Sequence, residues 1–466
     1  MSVFGDNVNR TSSVSQTATL VVVCVAHFLM PFMMSAVGVA LPVIGREFSA
    51  SAVQLGLVET TYALSASVFL LAMGRLGDLV GRRQIFRLGL VIFTVSGGLI
   101  SQAWSIDGVI LLRLFQGIGG SMVMATTMAM VVTAFPATQR GRALGIATAS
   151  VYAGISCGPF LGGSLVSWLG WRSIFYLGVP LGVMAFIVAT VKLTEEGPTA
   201  KGESFDWRGW IIYALSILAL ISGVMRLNDG VVWWLVASVG VAGFILFLWY
   251  ESRQRYPLLN TNLLRHNRMF ALSNIAALFN YAGTFGITFF LSLYLQYVKG
   301  FPPHTAGLVL IVQPIVQTIF SPMCGRLSDR FPAAKVATVG MLFCAAGIGV
   351  AATISKSTSL GFIVVVLVML GAGFALFSTA NTNAIMGSVA ARDLGVASGF
   401  AASMRTLGMM ASMAIITVMF SLYMGEQSVT LATQNEFVQS MQSSLLVFSG
   451  LCVAAVASSF GRHPSN

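Results

Sequence analysis

The sequence predicts an all-α polytopic membrane protein with about fourteen transmembrane helices, and three observations carry that expectation. Hydrophobic residues fill 56% of the 466 positions and charged residues only 9%, against about 25% charged residues in a usual soluble domain. The mean hydropathy is +0.85, so most of the chain needs lipid as its solvent. The apolar runs are about 20 residues long and lack the period-two alternation of barrel strands, which need only about 10 residues. Backbone amides in hydrocarbon must find internal partners, which leaves helices.

The runs fall at 18–43, 53–74, 84–104, 107–132, 142–167, 172–193, 209–226, 231–250, 269–298, 305–323, 335–354, 360–386, 396–421 and 443–460. An even number puts both termini on one side. Of the 26 Lys and Arg, nineteen fall on one side, among them Arg10, Arg75, Arg82, Arg83, Arg140, Arg326, Arg330 and Arg462. Five fall on the other (Arg46, Arg172, Arg226, Lys299 and Lys356), and Arg113 and Arg405 lie within spans. The rich side is then cytoplasmic, with both termini there; the expected setting is a prokaryotic inner (cytoplasmic) membrane. The polar first 17 residues lack a cleavable signal's pattern, so the first span is expected to act as an uncleaved insertion signal.

The net charge of +11 sits in short loops, where it orients the chain against the bilayer. No nucleic-acid partner is expected. Cys24, Cys157, Cys324, Cys344 and Cys452 are scattered, with no metal-ligand spacing. No P-loop occurs, and no nucleophile–base pair or cofactor loop is visible. The expectation is a protein that is no enzyme, with no cofactor and no metal, and that does not hydrolyse ATP by itself.

An internal repeat organises the chain. Gly74-Arg75-Leu76-Gly77-Asp78 follows the second span and is trailed by Gly81, Arg82 and Arg83; Gly325-Arg326-Leu327-Ser328-Asp329 follows the tenth and is trailed by Arg330 and Lys335. Setting aside the spans 209–226 and 231–250 puts both copies at equivalent places in two six-span halves. The division is 1–193 for the first bundle, 194–268 for a linker with two additional helices, and 269–466 for the second bundle. Like halves around a central site are how many secondary transporters are built. Both copies are expected to be loops, with Asp78 pairing with Arg or capping backbone amides. Gly74, Asp78, Arg82, Gly325, Asp329 and Arg330 read as parts of a gate.

Further along stand Leu112-Arg113-Leu114-Phe115-Gln116-Gly117-Ile118-Gly119-Gly120, then Gly154, Gly158, Pro159, Gly162 and Gly163, then Trp171-Arg172-Ser173-Ile174-Phe175 with Val179-Pro180. Leu293-Tyr294-Leu295-Gln296 and the stretch 380–389 follow in the second half. With Gly74–Arg83, these make the chain resemble the major facilitator superfamily over nearly its whole length, specifically the fourteen-span drug:proton antiporter branch. The resemblance implies the major facilitator fold, two six-helix bundles plus two additional helices. It also implies multidrug efflux, and hence antibiotic resistance, by alternating access.

Gly154, Gly158 and Gly162 share one helix face, and a small face lets a membrane helix press on a neighbour. Pro159 removes the amide that would bond Ile155. The resemblance makes this helix a pivot between the halves; ordinary helix packing is the other reading. Arg113 lies about six residues into the fourth span, where a charge needs a partner or water. By resemblance it belongs to the proton-coupling machinery; an Arg bonded to carbonyls of a neighbouring span is the alternative. Glu59, at similar depth in the second span, is the acid expected to lie well inside the core and to carry the proton.

The chain departs from the family at one place. Many relatives carry an acid a few residues before an Ala-Leu-Pro in the first span; here Ala40-Leu41-Pro42 is present, and Met33 stands at the aligned position. His27, deeper in that span, reads as a hydrogen-bonding core residue. The expected substrate-binding residues are Phe32, Met33, Met34, Asn274, Phe279, Asn280, Tyr281, Gln296, Gln313, Gln317, Asn381 and Asn383. Apolar, adaptable walls with few charges suit varied amphipathic ligands. The expected function is proton-coupled export of a small amphipathic substrate by a monomer in the lipid bilayer. A dedicated lipid or metabolite exporter, an uncoupled facilitator and, in a different class, a non-transporting membrane sensor remain as alternatives.

Overall fold

The computed structural model describes residues 2–193, 197–227, 230–425 and 433–461. Residues 194–196 of the linker, Arg462 and the side chain of Arg10 lie outside the described residues. Among the described residues there is no strand, and fourteen helices are long and apolar enough to cross a membrane. In order they are Gln16–Phe48, Gln54–Val80, Arg82–Ile100, Ile106–Ala134, Ala137–Leu169, Arg172–Lys192, Trp207–Met225, Val231–Glu251, Arg268–Val298, Thr305–Arg330, Ala333–Ala351, Leu360–Gly387, Ala391–Met424 and Gln434–Ser459.

Polar caps set several helix starts. Ser51 and Gln54 form a reciprocal capping box, the Gln54 amide donating to Ser51 Oγ at 3.2 Å and the Ser51 amide to Gln54 Oε1 at 3.0 Å. Ser105 and Ser359 take the amides of Gly108 and Phe362 at the starts of the fourth and twelfth helices. The helices overrun several apolar runs. The fourteenth begins at Gln434, nine residues before the run at 443, because Gln434, Asn435 and Glu436 are polar without breaking a helix.

One expectation is corrected here. Gly74–Asp78 and Gly325–Asp329 are not loops; they are the last turns of the second and tenth helices. Neither stretch contains a proline, and a glycine inside a helix costs only about 1 kcal/mol relative to Ala. The chain turns instead at Gly81, whose φ of 124° is open to glycine and strained for other residues.

The chain divides into two compact units. The first comprises Met1–Trp207, Arg255–Leu259 and Val389–Ala402; the second comprises Arg208–Gln254, Asn260–Ser388 and Ser403–Asn466. Within the first unit the second helix packs on the fourth, the third on the fourth and sixth, and the first on the sixth. Within the second unit the tenth packs on the twelfth, the eleventh on the twelfth and fourteenth, and the ninth on the fourteenth. These pairs correspond one to one once the seventh and eighth helices are set aside. Those two pack on each other through Gly223 against Ala237 and Gly240 against Leu220.

A shared device underlies the repeat. Gly89 and Gly340 stand eleven residues beyond Asp78 and Asp329. A carbon added to Gly89 would lie 2.8 Å from the Gly119 carbonyl oxygen, and one added to Gly340 would lie 2.7 Å from that of Gly373. Helices in lipid gain little by hiding apolar surface from one another, so close backbone approach through glycine supplies the packing. Gly89→Ala and Gly340→Ala are each expected to cost about 1–3 kcal/mol by overpacking, read as a lower unfolding midpoint in detergent. Gly361→Ala, where an added carbon meets nothing within 4 Å, is expected to leave the midpoint unchanged.

Candidate functional site

The last turns of the second helix hold a buried charged junction. Asp78 has no exposed surface. Its carboxylate accepts Arg82 Nε at 3.0 Å and Arg82 Nη2 at 2.7 Å. It also accepts the backbone amides of Gly395 at 3.1 Å and Val396 at 3.0 Å. Those amides belong to the first turn of the helix Leu394–Met424, where backbone donors lack intrahelical partners and the helix dipole favours an anion. Arg82, itself buried, also donates to the Ala391 carbonyl. The glycines permit the approach: a carbon on Gly74 would run into the Gly395 carbonyl, and one on Gly395 would lie 2.6 Å from Asp78 Oδ1. Asp78 thus pairs with an Arg and caps amides at once.

The second copy is built differently. Gly325 is buried, Asp329 half-buried, and Arg326 and Arg330 exposed. The buried Ser328 is engaged by the twelfth helix: Asn383 Nδ2 donates to its carbonyl at 3.3 Å and its hydroxyl at 3.1 Å.

Arg113 is fully buried, 1% exposed. Its Nε donates to the Val58 carbonyl of the second helix at 3.0 Å, and Nη1 donates to Gln116 Oε1 at 2.9 Å. Its guanidinium lies 4.5 Å from the centroid of the Tyr62 ring, a cation–π geometry. Arg113 Nη2 and Gln116 Nε2 have no hydrogen-bond partner. Glu59 lies within electrostatic reach of Arg113, so the acid and base singled out by depth are near one another. Glu59 is not enclosed, however. Its side chain is exposed, because Val58 is the residue that turns into the bundle and the next position lies about 100° round the helix. Its Oε1 sits 3.0 Å from where a side chain on Gly38 would begin.

The glycine face of the fifth helix presses on the first helix, within the same unit. A carbon on Gly158 would lie 2.5 Å from Ser35 Cβ and one on Gly162 2.7 Å from Ala36 Cβ, and one on Gly154 would meet the Phe28 carbonyl. The helix runs unbroken through Pro159, and the Ile155 carbonyl that proline orphans accepts the Ser35 hydroxyl at 3.3 Å. His27 joins three helices, its Nδ1 against the Ala147 carbonyl at 3.2 Å and its Nε2 against Thr127 Oγ1 at 2.8 Å. Phe32 and Met33, expected as ligand walls, are core residues of this unit at 0% and 2% exposure. Phe32 stacks on Phe28, and Met33 Sδ lies against Gly178 of the sixth helix. They face inward because the first helix packs on both the fifth and the sixth. Met34 is exposed.

In the second unit the expected polar residues are mostly buried and many serve helix joints. Asn381 Nδ2 donates to the Ser273 carbonyl of the ninth helix at 3.0 Å, while Asn383, two residues on, reaches the tenth. Two residues on a helix are about 200° apart, so one asparagine serves each neighbour. Tyr281 packs edge-on against Phe374 and reaches Ser378 Oγ at 3.4 Å. Gln313 accepts Thr288 Oγ1 at 3.5 Å, Gln317 is buried, and Gln296 bonds its own helix at Ser292. Asn274 donates to the Phe270 carbonyl, leaving its Oδ1 without a partner. Asn280 lies beside the Cys344 thiol, and Phe279 is half-buried.

The sequence model of the Major Facilitator Superfamily matches residues 23–264 and 274–465. The chain belongs to this superfamily. It is a membrane transporter of small molecules and not an enzyme. It is 30% identical over 433 residues to riboflavin transporter RibZ of Clostridioides difficile, covering 92% of each chain. It is 31% identical to multidrug resistance protein Stp of Mycobacterium tuberculosis, over 88% of this chain and 76% of that one. The tetracenomycin C resistance and export protein of Streptomyces glaucescens is 27% identical over the same shares. Among solved structures, the human organic anion transporter MFSD10 (TETRAN) shares the fold, with a TM-score of 0.66, 14% identity and coverage of 97% and 99%.

Some contacts of this transporter escaped the reading of its sequence. Glu47, at the end of the first helix, accepts Trp171 Nε1 at 2.8 Å and pairs with Arg172 at 2.6 Å. Arg172 also donates to the Ala103 carbonyl, so one Arg ties three helix ends. The Trp171-Arg172 pair was a visible signal; its distant acid was not. Asp78→Asn leaves Arg82 buried without its countercharge. It is expected to cost about 3–5 kcal/mol, read as a fall in the unfolding midpoint, and Asp329→Asn less than half as much.

Proposed function

We propose that this transporter exports a small amphipathic molecule from the cytoplasm in exchange for protons, by alternating access. The observation that supports this reading is the neighbourhood of Arg113 and Glu59. A guanidinium is fixed inside the bundle by Val58, Gln116 and Tyr62. An acid within its electrostatic reach keeps an exposed carboxylate. Such an acid takes up or gives back a proton as its surroundings change between states, which is what coupling to a proton gradient requires. Asp78 then latches one state, and its bonds to Arg82, Gly395 and Val396 part in the other. The glycine face of the fifth helix holds the first helix to it, so both travel together about the pivot. Met34, Phe279 and the buried asparagines of the ninth and twelfth helices are the residues to probe for substrate.

Efflux is favoured by the resemblance of Gly154, Gly158, Pro159, Gly162 and Gly163 to the drug:proton antiporter branch and by the resistance and export proteins among the relatives. The working setting is a prokaryotic inner membrane, with both termini in the cytoplasm and a monomer as the functional unit. Dedicated export of one metabolite, or uncoupled facilitation, is a second reading. Met33 favours it: a thioether packed on Gly178 stands where many relatives carry an acid. The riboflavin transporter among the relatives points the same way.

Proteoliposomes holding the purified protein, with an imposed pH gradient and a dye reporting internal pH, test coupling. Substrate flux is expected to rise with the gradient and to move protons in the wild type. Glu59→Gln is expected to lose the gradient-dependent part while retaining substrate exchange. Coupled flux that survives unchanged in the variant removes Glu59 from the mechanism, and flux indifferent to the gradient selects the facilitator.

A further inference from the structure

The segment that follows the sixth helix lies on the same helix end as Asp78. The amides of Thr199 and Ala200 both donate to the Asp78 carbonyl at 3.0 Å. That carbonyl belongs to the last turn of the second helix, where backbone acceptors have no partner within the helix. Four residues on, Glu203 pairs with Arg75 at 2.5 Å. The Arg75 side chain is only 6% exposed, and Ala200 is buried, so this connection is packed rather than loosely tethered. Asp393, beside the first turn of the thirteenth helix, is within electrostatic reach of both Arg75 and Glu203. The connecting segment, the end of the second helix and the start of the thirteenth therefore meet at one place.

The repeat supplies an internal control. Arg75 and Arg326 occupy the same position of the two Gly-Arg-Leu-x-Asp copies. Arg75 is buried under the connecting segment and Arg326 is exposed. The same residue in the same local sequence thus has two environments, and beside the first copy lie the connecting segment and the start of the thirteenth helix. A connection whose only task was to span the distance to the seventh helix would have no need to set a half-buried carboxylate on a buried arginine, since burying a charge costs desolvation.

We propose that residues 197–206 form a strap that must leave the end of the second helix before the cytoplasmic side opens, with Glu203 the positioning residue that holds it through Arg75. The strap and Asp78 act in series. Asp78 binds the start of the thirteenth helix, and the strap caps the backbone of the same residue, so opening one loosens the other. The inference rests on the alternating-access reading above, and its first test depends on neither substrate nor protons.

Hydrogen–deuterium exchange on the full chain in lipid nanodiscs reads both contacts directly. Glu203→Gln and Arg75→Gln are each expected to speed exchange about fivefold or more in peptides covering 197–206 and in those covering 391–399. The charge-reversed pair Arg75→Glu with Glu203→Arg is expected to return both regions toward wild-type rates. In proteoliposomes, the single variants are expected to change the rate of transport and the pair to recover at least half of it. Faster exchange confined to 197–206, with 391–399 unchanged, overturns the coupling, as does a reversed pair no slower to exchange than the single variants. Where a single variant is not monodisperse, Glu203→Asp, which keeps the charge, replaces it and is expected to show a smaller change in the same two regions.

Discussion

Four donated hydrogen bonds converge on the Asp78 carboxylate, and the surrounding structure is arranged to allow them. A charge removed from water must be paired and fully bonded or its burial is prohibitive. Arg82 supplies the countercharge, and the open first turn of the next helix to arrive supplies amides that have no other partner. The amides would not reach if Gly74 or Gly395 carried a side chain, since each added carbon would meet the opposing backbone or the carboxylate itself. The glycines therefore serve the acid, and the acid fixes where two helices end and begin.

The same economy of small residues runs through both units. Gly89 against Gly119 and Gly340 against Gly373 bring backbones together at matched points of the repeat, and the helix pairings around them coincide. The repeat is one of packing as well as of sequence. It is not one of burial: Asp78 is fully enclosed and Asp329 half-buried, and the second copy adds the bond from Asn383 to Ser328. A shared scaffold with unlike charge leaves the two ends free to differ in strength.

Hydropathy made the fourteen helices legible, because a run of about 20 apolar residues has few other outcomes. Helix ends were less so. Gly-Arg-Leu-x-Asp reads as a turn by composition, yet its glycines serve helix crossing and the turn falls at Gly81. Depth along a helix placed Glu59 and Arg113 at one level and near one another, but depth carries no information about azimuth, so the exposure of Glu59 was hidden. Phe32 and Met33 were read as ligand walls from chemistry alone; which face of a helix meets its neighbours is decided by the whole bundle. Asn381 and Asn383 look like a pair in sequence and work on opposite sides. The Arg75–Glu203 contact joins residues 128 positions apart, and no local pattern announces it.

The bond from Ser35 to the Ile155 carbonyl reaches beyond local repair of the gap at Pro159. A helix pair joined only by small apolar faces is tolerant of slip, since one glycine step resembles the next. Here a single carbonyl, unique along the fifth helix in lacking its own amide because of Pro159, is matched to a single hydroxyl on the first. Sliding either helix by one turn would take that carbonyl away from its donor, while the serine could fall back on its own helix. The proline, usually regarded as a weak point, thereby gives the pair its index mark.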